Sequence, residues 1–275
     1  MKNLLRLVSL VITVFFLNAC AQHAPQIRID QQAPQTEAKQ VWAKYLANSR
    51  KIKKSSPFTI NSSFRFKTPD NSNRASLKIW GNGTNPVRID ILGPFGSVVA
   101  SLRISNTRSV IYEPDNKRAV YSDSGDELLV RLGLPVPVSV QDIIALLRGD
   151  YSELFPETYE TAYVEGNANI AYTFSNKSMD KNSLQKLTDG ILVLNKQGLP
   201  IAWEQKDKSM SISFEKYDNS LPSKIRVLAG TERSALFLIK KRDIPLSPFE
   251  PEALELKLPP DTKLEPMKPM PTPLG

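Results

Sequence analysis

The sequence predicts a mainly β protein with a few helices, built on an antiparallel sheet that curls into a barrel or half-barrel. Apolar and polar residues alternate in about thirteen short segments, which is the pattern of half-buried strands. Most connections between these segments are too short for a crossover helix, so neighbouring strands should pair antiparallel. A sheet of roughly ten or more strands tends to curl rather than lie flat, and we expect the helices to lie across its mouth.

The N-terminus has the features of an export signal. In residues 1–19, Lys2 and Arg6 accompany an apolar run that is too short for an ordinary membrane span. Cys20, the only cysteine in the chain, follows directly after Leu-Asn-Ala. This motif resembles the lipobox of bacterial lipoproteins, in which the thiol is acylated and becomes the new N-terminus. We therefore expect Cys20 to be lipidated; the alternative is a buried, inert thiol. Ala21 in place of Asp predicts, by the same resemblance, sorting to the outer membrane.

Composition divides the rest of the chain into three parts. Residues 20–37 are rich in Gln, Ala and Pro, which predicts a flexible tether after the lipidated cysteine. Residues 38–244 are enough for one domain with a sizeable core. Residues 245–275 contain nine of the 21 prolines, which disfavours helix and central strand. We expect a disordered tail there, with a polyproline segment that binds a partner as the alternative.

The domain opens with a predicted helix whose apolar stripe includes Trp42 and Tyr45. Four basic residues follow at its C-terminal end, where the helix dipole favours cations. These residues are interpreted as a solvated helix end or, alternatively, as a patch that contacts lipid headgroups; they are Arg50, Lys51, Lys53 and Lys54.

Two further helical segments interrupt the strands. The first, residues 124–134, has acidic residues in its first turn and then Leu128, Leu129 and Leu132. A proline-stiffened link leads to the second, in which Ser139 is the expected N-cap, Asp142 completes a capping box and Gly149 ends the helix. Both segments have strongly apolar faces.

Residues 93–96, Gly-Pro-Phe-Gly, predict a tight turn, because proline fixes φ and glycine tolerates the positive φ values that turns need. Phe95 then lies at the tip of a loop and faces water, where an aromatic ring gains no stabilisation. The alternative is that Phe95 folds back into the core.

The sequence offers little catalytic equipment. Its only histidine, His23, lies in the predicted tether, so Ser-His and Cys-His pairs and zinc sites with more than one histidine are excluded. A possible catalytic carboxylate pair is offered by Asp123, Asp126 and Glu127. Because these residues stand at the start of a predicted helix, we interpret them as acidic side chains that stabilise the helix dipole. We expect no enzymatic activity, no metal and no cofactor. No basic and aromatic motif for nucleic acid is present either. The residues therefore indicate a binding module anchored by lipid.

The order of these features resembles the outer-membrane lipoprotein receptor family LolB. The lipobox, the helix with Trp42, the strands around the turn at residues 93–96, and two helices separated by Gly133-Leu-Pro135-Val-Pro137 follow the family's arrangement. The sequence departs from the family in Gly93 for Asn, in Phe95 for Leu, in a longer second half and in the proline-rich tail.

This resemblance implies an unclosed antiparallel β-barrel whose helices cover a hydrophobic cavity. It also implies an outer-membrane protein that faces the periplasm and accepts acylated lipoproteins from a LolA-like periplasmic carrier. The protein would hold their acyl chains and insert them into outer-membrane lipids, with Gly93, Pro94, Phe95 and Gly96 as the loop that enters the membrane. The cavity-lining candidates are Phe64, Phe66, Ile79, Ile89, Ile91, Leu128, Leu129, Leu132, Ile143, Leu146 and Leu147.

Two other functions stay open at this point. A structural or assembly lipoprotein of the cell envelope could use the same barrel as a scaffold and the tail to reach a partner. An envelope enzyme that acts on lipid or glycan has less support, because the catalytic motifs are missing. A cargo without acyl chains distinguishes a receptor from a scaffold, because only the receptor needs the chains.

Overall fold

The computed structural model describes residues 27–123, 125, 139–166, 169–174 and 187–267. Within these residues, 15 strands form one sheet. The strands are β1 (Ile29–Gln32), β2 (Pro57–Lys67), β3 (Ser72–Asn82), β4 (Val87–Leu92), β5 (Val98–Ile104), β6 (Ser109–Glu113), β7 (Arg118–Ser122), β8 (Thr161–Glu165), β9 (Asn169–Thr173), β10 (Gly190–Leu194), β11 (Pro200–Gln205), β12 (Met210–Asp218), β13 (Leu221–Ala229), β14 (Arg233–Asp243) and β15 (Lys263–Pro266). The helices are α1 (Gln35–Ser49), α2 (Val140–Arg148) and the short α3 (Pro251–Leu254).

The sheet consists of two meanders joined side by side. Strands β2 to β7 follow one another, strands β8 to β14 do the same, and β14 pairs with β2 to unite them. All of these pairs are antiparallel, whereas β15 pairs parallel to β7. In the described residues β1 and β15 are the two outermost strands and do not pair with each other, so the barrel is unclosed. The predicted fold class is confirmed.

Strands β2 to β14 coincide with the segments in which the sequence alternates between apolar and polar residues. In β2, for example, Phe58, Ile60, Phe64 and Phe66 are all buried on one face. Burial of every second side chain fixes the register of such a strand, since a slip by one residue would expose the whole apolar set.

The predicted tether is shorter than expected. Ile29–Gln32 forms β1 on the edge of β8, and α1 begins at Gln35 rather than at residue 38. Every residue of β1 is exposed, so the strand is held by its backbone and carries no apolar alternation that could reveal it. Ile27 packs against a small apolar cluster on the sheet that contains Ala171 and Val193. Residues 1–26, including Cys20, lie outside the described part of the chain.

The prediction of a disordered tail is wrong for residues 249–267. Leu254 in α3 is buried, and β15 extends the sheet beyond β7. Proline does not prevent either element, because Pro251 stands in the first turn of α3 and Pro266 ends an edge strand. The tail is held mainly by polar contacts, which leave no apolar periodicity in the sequence.

Helix α1 packs on the second meander. The ring of Trp42 lies 4.8 Å from the ring of Tyr172 in β9, between ring centroids, and its indole Nε1 donates to the carbonyl oxygen of Glu157 over 3.0 Å. The Tyr172 hydroxyl donates to the carbonyl oxygen of Ala38 over 2.8 Å. These contacts lock the predicted apolar stripe of α1 onto the sheet.

Helix α2 packs on the first meander and has the predicted ends. The Ser139 Oγ accepts from the backbone N–H of Asp142, and the Asp142 carboxylate accepts from the backbone N–H of Ser139, over 3.0 and 3.1 Å. Gly149 ends the helix with a φ of 81°, in the left-handed region that favours glycine. Buried side chains of α1, α2 and the inner face of the sheet form one hydrophobic cluster.

Candidate functional site

A cavity of 220 Å³ lies between α2 and the inner face of the sheet. Its described walls come from α2 and from β2, β3, β4, β5 and β14. Two polar residues, Asn73 and Arg74, line it, and both are exposed residues of β3. The other lining residues are apolar: Phe64, Phe66, Ala75, Leu77, Ile79, Ile89, Ile91, Val99, Ala100, Leu102, Val140, Ile143, Ile144, Leu147 and Phe237. Such a wall gives water few hydrogen-bond partners and suits an apolar ligand.

One stripe of α2 faces this cavity. It is formed by residues at the spacing i, i+3, i+4 and i+7, namely Val140, Ile143, Ile144 and Leu147. Leu146 was also a cavity candidate, but it is buried in the core without lining the cavity. It precedes Leu147 by one position, which rotates its side chain by about 100° around the helix.

The sheet wall contains the candidates Phe64, Phe66, Ile79, Ile89 and Ile91. Several further wall residues were not among the candidates, although they lie on the same alternating faces: Ala75, Leu77, Ala100, Leu102 and Phe237. The sequence signal was present for Ala75, Leu77 and Leu102, which alternate with polar neighbours in their strands, whereas Phe237 lies within an unbroken apolar run. The candidates Leu128, Leu129 and Leu132, like the link at residues 133–137, lie outside the described residues.

The turn at residues 93–96 is the tip of the hairpin between β4 and β5. The backbone N–H of Gly96 donates to the carbonyl oxygen of Gly93 over 3.1 Å, and the N–H of Gly93 donates to the carbonyl oxygen of Ser97 over 2.9 Å. Gly96 has a φ of 80°, which explains the glycine at that position. Gly93 does not have a positive φ, so only one of the two glycines is needed for this reason.

Phe95 at this tip is 99% exposed. The alternative in which its ring folds back into the core is therefore wrong. An isolated exposed Phe on a rigid turn is unfavourable in water, because the ring buries none of its apolar surface.

The hairpin stands at the rim of the cavity. Ile91 and Val99, each four residues from Phe95, line the cavity from the two strands of the hairpin. Val99 is 48% exposed beside the turn. The exposed apolar residues of this hairpin thus extend from its tip to the cavity wall.

The C-terminal end of α2 is fixed by buried charges. The Arg148 guanidinium donates to the carbonyl oxygens of Lys53 and Lys54 over 3.0 and 3.3 Å and stacks on the Phe58 ring at 4.9 Å. The Arg242 Nε donates to the carbonyl oxygen of Leu147 over 2.7 Å, which satisfies one of the last carbonyls of the helix.

Asp150 lies beside Arg148, with 3.7 Å between a carboxylate oxygen and the guanidinium Nη1. Burial raises the pKa of the Asp150 carboxyl, and a hydrogen bond from Ser152 and the charge of Arg148 partly oppose this shift. Burial also lowers the pKa of Arg148. These buried polar contacts tie the end of α2 to the segment before β2.

A larger cleft of 690 Å³ has a different character. Its lining is largely polar and includes Asn82, Asp123 and an ion pair between Lys54 and Glu153, with 3.0 Å between Nζ and a carboxylate oxygen. It therefore suits apolar chains less well than the cavity beneath α2.

No group of three or more His, Cys, Asp or Glu side chains in the described residues is arranged for a metal ion. None of the helices in the described ranges has the length and apolarity that a membrane-spanning helix requires.

No protein-family model matches the sequence, and no curated protein does so significantly. Solved structures share the fold. A LolA superfamily protein from Nitrosomonas europaea aligns with a TM-score of 0.51 and 12% identity, covering 80% of this chain and 97% of that one. A DUF1329 family protein from Desulfovibrio piger aligns with a TM-score of 0.50 and 11% identity, covering 79% and 98%. An outer membrane lipoprotein-sorting protein domain from Vibrio parahaemolyticus aligns with a TM-score of 0.49 and 10% identity, covering 79% of this chain and 97% of that one. The alignment with the LolA superfamily protein shows that this chain has a LolA-like fold.

Proposed function

We propose that this protein is a lipoprotein receptor of the LolB kind, which accepts acylated lipoproteins and inserts their acyl chains into the outer membrane. One observation carries the proposal: an apolar cavity opens beside a hairpin whose tip presents a fully exposed Phe95. The proposed role is one of binding and transfer, without a chemical reaction.

The cavity supplies the reason for binding acyl chains. Each methylene group removed from water contributes about 0.8 kcal/mol, so acyl chains do not cross an aqueous compartment unshielded. Side chains such as Phe66, Ile89 and Leu102 offer these chains a surface without competing hydrogen-bond groups. A LolA-like carrier with a similar cavity could then pass the chains on while little of their surface meets water.

The size of the cavity indicates that α2 has to move. Its 220 Å³ is below the range of about 300–1,000 Å³ for small-molecule pockets. Because buried Arg148 and half-buried Arg242 hold the C-terminal end of α2, we expect the helix to lift from its N-terminal end, at Ser139 and Val140, when a chain enters.

The hairpin supplies the reason for release at a membrane. Transfer of the Phe95 ring from water into lipid contributes roughly 2–3 kcal/mol. Lipidation of Cys20 would already hold the protein at the bilayer, so a small gain is enough to orient the mouth of the cavity towards it. The predicted export signal and lipobox support a location in the cell envelope, and we propose the outer membrane as the target.

The two transfer steps can be measured separately with the Phe95→Glu variant. The assay uses an acylated lipoprotein bound to its periplasmic carrier and vesicles of outer-membrane lipids. We expect the variant to accept the cargo but not to deliver it, because a charge at the tip opposes membrane insertion. The matched control, Phe95→Leu, keeps an apolar tip and should deliver the cargo. Delivery by Phe95→Glu at the wild-type rate would contradict the role of the hairpin.

The same assay distinguishes a receptor from a scaffold. The cargo is compared with an otherwise identical protein that lacks acyl chains. A receptor should bind only the acylated form, and Ala75→Trp, which places a large ring at the cavity wall, should weaken that binding. Equal binding of both forms would favour the assembly-scaffold function instead.

A further inference from the structure

The tail crosses the outer face of the first meander, on the opposite side from the cavity. The Asn82 side chain exchanges two hydrogen bonds of 2.8 Å with the backbone of Phe249, donating to its carbonyl oxygen and accepting from its N–H. The indole Nε1 of Trp80 donates to the carbonyl oxygen of Ala253 over 3.2 Å. These side chains recognise the backbone of the tail, whatever its side chains are.

Further along, the tail becomes a strand on the edge of β7. Lys263 to Pro266 run parallel to Arg118 to Tyr121. The N–H of Lys263 donates to the carbonyl oxygen of Lys117 over 3.0 Å, and the N–H of Met267 donates to the carbonyl oxygen of Tyr121 over 2.8 Å. Addition of a strand to a sheet edge is a common way for proteins to bind extended peptides.

Charges on the two sides are complementary. Basic residues of the sheet face acidic residues of the tail in three ion pairs, with nitrogen–oxygen distances of 2.6–2.9 Å: Arg103 with Glu255, Lys117 with Asp261, and Arg118 with Glu265. The Nε and Nη2 of Arg118 both donate to one carboxylate oxygen of Glu265, over 3.2 and 2.8 Å, so these hydrogen bonds are charge-assisted.

Arg88 makes hydrogen bonds to both the sheet and the tail. Its side chain is buried, and its guanidinium stacks on Trp80 at 5.1 Å. The Nε donates to the carbonyl oxygen of Leu102 in the sheet over 3.2 Å, while Nη1 donates to the carbonyl oxygen of Glu255 in the tail. One arginine thus connects the sheet to the backbone of its occupant.

The hold on the tail is nevertheless light. The Lys117–Asp261 pair is largely exposed and the Arg118–Glu265 pair is partly exposed, and ion pairs in contact with solvent contribute little. Leu254 is buried, and a groove of 530 Å³ that is open to solvent borders residues 252–259 and the sheet. The connection before the tail has exposed Ile244 and Leu246, and of the described tail residues the partly buried Met267 is the one that packs against the main core cluster.

We propose that the outer face of β3 to β7 is a docking surface for an extended acidic segment of a partner protein, and that the tail occupies this surface in cis until the partner displaces it. The partner is defined by its chemistry: an extended backbone with carboxylates at the spacing of Glu255, Asp261 and Glu265. The inference stands on the outer face alone and does not depend on the proposed transfer of lipoproteins.

The test uses the full chain and a fluorescent peptide with the sequence of residues 249–267. A tail variant, Glu255→Lys with Asp261→Lys and Glu265→Lys, weakens the cis contact and leaves the surface of the sheet intact. We expect it to bind the peptide at least about tenfold more tightly than the wild type does. Adding Lys117→Ala and Arg118→Ala to the sheet removes the partners of Asp261 and Glu265 without forming new ion pairs to the lysines of the tail variant, and should strongly weaken that binding. If the tail variant does not bind the peptide, or the wild type binds it equally well, the proposal is wrong.

A second peptide tests the chemistry of the partner. It keeps Leu254 and the three acidic residues and replaces most of the other side chains, so that only the backbone, the charges and one apolar group are shared with the tail. We expect its affinity to be within about tenfold of that of the first peptide, because the surface binds the peptide through backbone hydrogen bonds and ion pairs. Loss of binding would show that the surface binds only the tail's own sequence, and would contradict the proposal that a partner protein docks there.

Hydrogen exchange of the wild-type chain gives a result that does not require the variants. With saturating isotope-labelled peptide, the amides of Lys263 and Met267 in the chain should exchange faster, because the peptide takes their place on β7. Unchanged protection at both amides would show that the tail is a fixed part of the fold.

Discussion

The two faces of β3, β4 and β5 are covered in different ways. On the inner face, α2 lies over the sheet through apolar side chains, and the contact leaves a cavity. On the outer face, the tail is held by hydrogen bonds to its backbone and by ion pairs, with Leu254 as its buried apolar side chain. The apolar contact on the inner face depends on how well the two surfaces fit in shape. The contact on the outer face depends on the direction of its hydrogen bonds and on opposite charges. The inner face therefore suits a ligand without polar groups, and the outer face suits a peptide.

The largest loss of stability is expected on the inner face. Ile144 is 1% exposed in α2, and Ile144→Ala should lower the free energy of unfolding by about 2–5 kcal/mol, measured by urea denaturation. Ile143 on the same helix is only partly buried, so Ile143→Ala is the matched control and should cost less. Equal losses would show that α2 does not pack as described.

On the outer face, a loss of about 2 kcal/mol is expected from Leu254→Ala, at the lower end of the range for a buried leucine. Leu246 belongs to the same tail and is fully exposed, so Leu246→Ala should leave the unfolding midpoint unchanged. No effect of Leu254→Ala would mean that the tail is not docked in solution, and the comparison of the two faces would fail.

The N-terminal end of α2 offers a smaller effect on the inner face. Ser139→Ala removes the acceptor for the N–H of Asp142 and should cost about 1 kcal/mol. Ser139→Asp retains an oxygen acceptor and should restore the stability. Hydrogen exchange in the first turn of α2 should quicken in the alanine variant alone; equal exchange in both variants would count against the cap.

The smallest effect is expected for an exposed ion pair of the outer face. Lys117 and Asp261 have side chains that are 66% and 57% exposed. Lys117→Met should therefore change the free energy of unfolding by no more than about 0.2–1 kcal/mol, and less at high salt. A larger change that persists in salt would mean that charge contributes more to the outer contact than its exposure suggests.

The same difference explains which parts of the molecule could be predicted. Strands β2 to β14 were found because one face of each carries a row of apolar residues, as in β2 with Phe58 and Ile60. The edge strands β1 and β15 were missed, because their exposed residues pair through the backbone, which any sequence supplies. The high proline content of residues 245–275 predicts disorder. A proline-rich segment nevertheless keeps its backbone carbonyl groups, and Asn82 and Arg88 donate hydrogen bonds to two of them.

The candidate site was predictable to a similar degree. Most of the sheet wall follows from alternation, since Leu77 and Ile79 share a face by their spacing alone. The choice within α2 could not be made with equal certainty, because residues 143–147 are all apolar and every side of the helix resembles a core face. Only its packing distinguishes Leu147, which lines the cavity, from Leu146, which does not.

The most direct test of the central claim is to locate an acyl chain on the protein. A lipopeptide with a photoreactive group near the end of one acyl chain is bound to the purified chain, irradiated and mapped by mass spectrometry. The account predicts adducts on the cavity wall, at residues such as Phe66, Ile91 or Leu147, and a marked loss of adducts in Ala75→Trp. Adducts confined to the outer face of the sheet, or an equal yield in Ala75→Trp, would contradict it.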